Sequence, residues 1–309
     1  VVGRIWLGNR VPHAIAYDSR NHDIYVTLGV SNSVAVVSGS SNKLVASIPV
    51  GYEPGAIAYD GGNGELFVAN GASNTVSVIS DARNTVVATV SVGFGPDGVA
   101  LNDATGYVYV ANQGSHDVSV VSDSTNRVVQ TIPTGSANIG VVYDNSSGDV
   151  YVAGAYAGVH DVAIISGSTN AVVNHVALGA EPTAIVYDGG NANIYVAIGS
   201  NTVSYFATGP HVVEFIESGL VQGAAWSVTL GGEVGSSGTS TMQFTEPSGR
   251  YPFAVGVVSG YLASPSSGSV LVSGQDESNA ITFMTVPNAI TFMTVPSAPR
   301  ALVATPQDR

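Results

Sequence analysis

Five aspartates stand at nearly equal intervals: Asp18, Asp60, Asp103, Asp144 and Asp188, separated by 42, 43, 41 and 44 residues. Carboxylates are the groups with which a chain lacking cysteine would hold calcium or cut a glycosidic bond. Calcium needs several oxygens converging from one loop, and the D-x-[DN]-x-[DN]-G pattern is absent. Each aspartate instead stands alone before a Gly/Asn/Ser-rich turn, as in YDGGNGE (59–65), which reads as a turn cap. Glu53 and Glu181 each precede a recurring proline and are placed near a central opening, as solvated loop residues or as the lining of a small polar channel. Carboxylate pairs could be assembled across repeats, but no acid stands outside the repeat pattern in a suggestive way.

Other chemistries lack their residues. The six histidines are dispersed without H-x-x-x-H or HExxH spacing; His116 and His160 fill a turn slot held elsewhere by Asn32, Asn74 and Asn201. Cys is 0, which removes thiolate metal sites, thiol nucleophiles and disulfides. No GxSxG elbow precedes a helix, and no phosphate-binding loop is present. No catalytic residue, cofactor or metal site is expected. Asn145, in the only N-x-[ST] sequon (Asn145-Ser146-Ser147), is a candidate glycosylation site on an expected turn.

The elements that carry these residues form an internal repeat. VPHAIAYD (11–18) recurs as EPGAIAYD (53–60), GPDGVALND (95–103), ANIGVVYD (137–144) and EPTAIVYD (181–188). Each is followed by a Val/Tyr-rich segment (DIYVTLG, ELFVANG, YVYVANQG, DVYVAGA, NIYVAIG) and a third such as SNSVAVVS or SNTVSVIS. A fourth, such as TVVATVSVG (85–93), completes four of the repeats. Short β-branched runs bounded by turn residues are strands, and four strands per repeat of about 42 residues is a propeller blade. Pro12, Pro54, Pro96 and Pro182 start the first strand, with Asn138 in the remaining copy. The chain opens with VVGRIWLG (1–8), which aligns with VVATVSVG (86–93), and the last repeat stops after its third strand. The expectation is a five-bladed propeller over 1–208, closed by a composite blade in which Val1–Leu7 pairs with Thr202–Ala207.

YVTL, FVAN and YVAN, with the recurring VG-x-x-P-x-x-x-A-x-x-D unit, resemble the YVTN-type β-propeller repeats of archaeal surface-layer proteins. The resemblance covers about residues 1–208. Five blades depart from the seven that members often have. What it implies is a non-enzymatic cell-surface role without a mapped active site.

Residues 209–287 leave the period and read as a small Ig-like β-sandwich, with Trp226, Phe244, Tyr251 and Phe253 as its large core residues. Their wording (FIESGL, WSVTL, FTEPSGRY, GYLASPSSGSV) resembles an accessory domain of secreted archaeal proteins, including thermopsin-like proteases, and carries over no catalytic residue. NAITFMTVP (279–287) is then repeated identically as NAITFMTVP (288–296), before SAPRALVATP, which resembles the opening of a fibronectin type III domain. One copy serves as the last strand of the sandwich. The second lies in an extended tail, 288–309, which reads as a donor strand for a neighbouring molecule, as a linker, or as the start of a truncated fibronectin type III-like domain. Ile290, Thr291, Phe292, Met293, Thr294 and Val295 are the candidate assembly strand.

Composition bounds the partners. Lys+Arg 9 against Asp+Glu 22 gives −13, which argues against nucleic acid or an anionic membrane. No apolar run reaches a membrane-spanning length. Charged residues are only 10%, so little of the fold rests on ion pairs that acid would break, and with its carboxylates neutral the chain would carry roughly +15. The first residue is Val and no signal-peptide pattern remains, as in a processed chain or a fragment. These features suit an extracellular structural protein, all-β throughout, that assembles with copies of itself into a layer or filament. A surface adhesion or ligand-binding propeller for cell-surface glycans or proteins, with Tyr52 and Phe94 at equivalent loop slots, is the alternative. A hydrolase or lyase is the third reading, and would require carboxylates converging in a central channel.

Overall fold

The computed structural model describes residues 3–8, 10–208, 211–246, 249–272 and 277–285. The first part is a run of antiparallel sheets, each folded from consecutive strands. Sheet one has Pro12–Tyr17, Ile24–Leu28, Ser33–Ser38 and Lys43–Pro49; sheet two has Pro54–Asp60, Glu65–Asn70, Thr75–Ser80 and Thr85–Ser91. Sheet three follows as Pro96–Asn102, Tyr107–Asn112, Asp117–Ser122 and Arg127–Pro133, and sheet four as Ala137–Tyr143, Asp149–Tyr156, Val159–Ser166 and Ala171–Ala177. Sheet five has three strands, Pro182–Asp188, Asn193–Ile198 and Thr202–Ala207. The recurring prolines open first strands, as their missing N–H permits.

The turns explain the repeated polar residues. Between third and fourth strands, Asn42, Asn84, Asn126 and Asn170 hold φ of 51–53°, the left-handed region that asparagine tolerates better than most residues. His116 takes the same conformation in the turn between second and third strands (φ 59°). His160 does not occupy that slot. Sheet four's hairpin is longer, so the left-handed positions move to Ala157 and Gly158 and His160 pairs within the ladder.

Successive sheets bury both faces of their middle strands against each other. Tyr25, Val34 and Val36 of sheet one pack on Leu66, Val68 and Ile79 of sheet two. The same positions recur at junctions two–three, three–four and four–five. Tyrosine hydroxyls fasten two of these junctions: Tyr25 donates to Asn84 Oδ1 at 2.9 Å and Tyr109 to Asn170 Oδ1 at 2.5 Å. Burial pushes both hydroxyls up to about 12, so they remain donors at neutral and acid pH.

The expected composite blade is not formed. Residues 3–8 carry no strand, and sheet five keeps three strands among the described residues. Leu7 packs against sheet one beside Ile24, on Val26, Leu28 and Ala35, and Arg10 donates to Ser47 at 3.0 Å. These contacts lay the opening segment along sheet one, and among the described residues no ladder joins it to Thr202–Ala207. No core cluster among the described residues joins sheet five to sheet one.

From His211 onward two four-stranded sheets face each other. One orders Thr241–Glu246, His211–Ser218, Glu277–Thr285 and Tyr261–Ser264; the other orders Glu233–Ser237, Trp226–Leu230, Gly249–Val255 and Ser267–Val272. Trp226, Phe244 and Phe253 are buried in its core with Phe215, and Tyr251 packs on it half-buried, as expected. The Trp226 indole donates to the Thr239 carbonyl at 2.7 Å, satisfying its one polar group. The first NAITFMT copy is an interior strand, parallel to His211–Ser218 and antiparallel to Tyr261–Ser264. Ile281 and Phe283 point inward and are buried, while Thr282 and Met284 face solvent.

Candidate functional site

The repeated aspartates are turn caps. Asp18, Asp60, Asp144 and Asp188 each accept, through Oδ1, the backbone N–H two residues on at 2.7–2.9 Å. In sheet three this role belongs to Asn102, which accepts from the Ala104 and Thr105 amides, and not to Asp103, which is exposed. The adjacent Asn-Asp pair in ALND conceals the frame. Burial works against ionisation of Asp144, but neighbouring hydroxyls, with Ser146 and Ser147 at 2.7 and 2.8 Å, outweigh it and hold the carboxyl below its usual range. Asn145 is exposed on this turn, where a glycan has room.

A cavity of about 490 Å³ is lined by the first strands of all five sheets. The residue following each strand-opening proline, or its counterpart Asn138, faces it: His13, Gly55, Asp97, Ile139 and Thr183. Within an otherwise repetitive strand this one position varies freely in chemistry. That variation is the sequence signal for the channel, and it picks out Asp97 and His13, which belong to no chemical motif. At the loop end the channel opens into a second space of about 440 Å³, lined by His13, Glu53, Asp97 and Gln113 among others. Burial raises the Asp97 carboxyl above its usual range, and His13 opposes that rise. Glu53 sits in the left-handed region with its amide bonded to Asn32 Oδ1 at 3.0 Å and its carbonyl to the Gly71 amide, so the backbone fixes it at the rim. Glu181 makes the corresponding carbonyl bond to Gly199 but is not among the lining residues of either space.

The site thus combines two carboxylates, an imidazole and an amide around one opening. Tyr52 and Phe94 are exposed on loops of the same end, their amides held by Ser73 and Ser115 hydroxyls at 2.7 and 3.0 Å. Polar groups inside and aromatic faces outside can bind a hydroxyl-rich ligand. Among the described residues no group of three or more His, Asp or Glu is placed to hold a metal ion, and no helix is long and apolar enough to cross a membrane. The candidate assembly strand, Ile290, Thr291, Phe292, Met293, Thr294 and Val295, lies outside the described residues.

No protein-family model matches the chain, and no curated protein matches it in sequence. Solved structures do match in shape. Kuenenia stuttgartiensis hydrazine synthase superposes with a TM-score of 0.57 at 21% identity, over 60% of this chain and 55% of that one. The mitotic checkpoint complex gives 0.56 at 15% identity, over 64% of this chain and 61% of its matched chain. The chain therefore spans little more than half the length of these structures. With the repeated four-stranded sheets, the likeness defines an all-β, β-propeller-like fold. At such identity it is a likeness of fold alone.

Proposed function

We propose that this chain is a non-enzymatic extracellular structural protein, a subunit of a self-assembling cell-surface layer or filament, built from five propeller blades and an Ig-like sandwich. The observation that carries the reading is the place of the first NAITFMT copy. That segment is an interior strand with Ile281 and Phe283 buried, and its identical repeat brings Ile290 and Phe292 in the same alternation. By exchange with the neighbour's own first copy, such a strand would enter the slot between His211–Ser218 and Tyr261–Ser264 in the same register, with backbone hydrogen bonds supplying affinity and Ile and Phe filling the groove. The resemblance to archaeal surface-layer repeats supports the same role.

Electrostatics favour an acidic exterior. One ion pair, His175–Asp161 at 2.7 Å, is found among the described residues. Burial raises the carboxyls of Glu65, Asp97, Asp123, Asp149 and Glu246, so folding takes up protons as the medium acidifies.

Deleting Asn288–Pro296 tests the donor strand. The expected result is a folded protein, unchanged in circular dichroism, that no longer forms polymers under the electron microscope. Normal polymers from the deletion variant would reduce the second copy to a linker.

A second reading, a propeller that binds cell-surface glycans, is favoured by Tyr52 and Phe94 beside the opening that holds His13, Glu53 and Asp97. Glycan-array binding lost in a Tyr52→Ala, Phe94→Ala double variant would support it.

A further inference from the structure

The two ends of the run of sheets carry the two unmatched halves of one repeated interface. In sheets two to five, Ile57, Val99, Val141 and Ile185 of the first strand pack into the core shared with the preceding sheet. Their counterpart in sheet one is Ile15, which is 68% exposed. Two residues on, Tyr59, Tyr143 and Tyr187 also pack into those cores, whereas Tyr17 is 53% exposed. Asn84 and Asn170 receive a tyrosine hydroxyl from the preceding sheet, while Asn42, in the same left-handed turn, is exposed.

Sheet five shows the converse. Val34 and Val36 of sheet one, like Val76 and Val78 of sheet two, are wholly buried against the following sheet. Their counterparts Val203 and Tyr205 are 61% and 69% exposed. Tyr195 occupies the position of Tyr25 and Tyr109, but it stacks on Tyr205, with 5.8 Å between ring centroids, instead of reaching a following sheet.

The opening segment completes the match. Leu7 packs on sheet one as Val50, Val92 and Leu178 pack on sheets two, three and five, where they follow a fourth strand of the sheet before. Residues 3–8 therefore lie where the fourth strand of a preceding sheet would run. Among the described residues the outer edge of Thr202–Ala207 has no strand beside it. A sheet five docked on sheet one would set Val203 opposite Ile5, as Val76 stands opposite Val90.

We propose that the free flank of sheet five docks on the free flank of sheet one in a second copy of this chain. The contact reproduces the apolar core used at all four junctions inside the molecule, adds a Tyr195-to-Asn42 hydrogen bond like those at two of them, and takes the partner's opening segment as fourth strand. Within the chain the two flanks share no core among the described residues and both remain exposed, which leaves them available in trans. Because the two surfaces differ, the contact is head to tail: it propagates into a chain unless two copies satisfy each other. This deepens the self-assembly reading but uses none of the repeated tail, so the two can fail separately.

The test exploits the absence of native cysteine. Full-length Asn42→Cys and Tyr195→Cys variants are prepared singly, mixed, and treated with a short bis-maleimide. Covalent dimer in the mixture is expected, with little in either variant alone. A Tyr205→Lys substitution on the exposed flank, with unchanged circular dichroism, should weaken self-association in sedimentation about tenfold or more and abolish the cross-link. Deleting Asn288–Pro296 should leave the cross-link intact. The proposal is overturned if the mixture yields no dimer. It is equally overturned if a chain carrying both cysteines cross-links only within itself, if Tyr205→Lys sediments like the parent, or if the cross-link disappears with the tail.

Discussion

Phe67→Tyr should stabilise this protein, although it places a hydroxyl in a fully buried position. Phe67 is the sheet-two counterpart of Tyr25 and Tyr109, whose hydroxyls donate to the turn asparagine of the next sheet. The turn equivalent to those of Asn84 and Asn170 in sheet three carries Asn126, whose Oδ1 is buried without a hydrogen-bond partner. A matched buried hydrogen bond contributes about 1 kcal/mol net, and relieving an orphaned acceptor adds up to about 1–2 kcal/mol more. The expected gain is about 1–2 kcal/mol. For a unit of this size that is a rise in Tm of about 3–6 °C, readable by calorimetry. Tyr109→Phe should do the reverse, costing about 1–3 kcal/mol by orphaning the Asn170 oxygen. Asn126→Gly keeps the left-handed turn but removes the acceptor, so a double-mutant cycle isolates the pair. If Phe67→Tyr gains as much in the Asn126→Gly background as in the parent, the hydrogen-bond argument is wrong.

Further outcomes follow from single residues. Burial, partly offset by the Gly167 amide, pushes Asp149 up to about 6 from 3.8. The folded state thus holds this proton more tightly than the unfolded chain, and stability is gained as pH falls through about 6 and is complete below about 4. Asp149→Asn should raise stability at pH 7 by about 2 kcal/mol and flatten the denaturation profile between pH 4 and 7; an unchanged profile would place the burial effect elsewhere. Asn102→Ala should cost about 1–2 kcal/mol and Asp103→Ala almost nothing, and equal costs in urea denaturation would restore Asp103 as the cap. Phe283→Ala should destabilise the sandwich by about 3–5 kcal/mol, whereas Met284→Ala, on the outward side of the same strand, should stay within about 0.5 kcal/mol.

The sequence by itself determined the local structure. Each repeat declares its strands through Val/Ile/Tyr runs and its turns through Asp, Asn and Gly, because strand pairing and turn capping act over a few residues. The turn-cap reading of the aspartates followed from the same local logic, as did a strand at the first NAITFMTVP copy, whereas packing chose Ile281 and Phe283 as its inward face. Where the local signal was doubled, as at Asn102-Asp103, or a hairpin lengthened, as at His160, the frame slipped by a residue or two. Tertiary structure decided the rest. That His13, Glu53 and Asp97 share one opening depends on how separate sheets turn about a common cavity, which no spacing within a repeat encodes. Whether residues 3–8 pair with sheet five is a long-range matter that the likeness of VVGRIWLG to VVATVSVG does not encode. In the structure Leu7 lies on Val26, Leu28 and Ala35, and the flank of sheet five is exposed at Val203 and Tyr205.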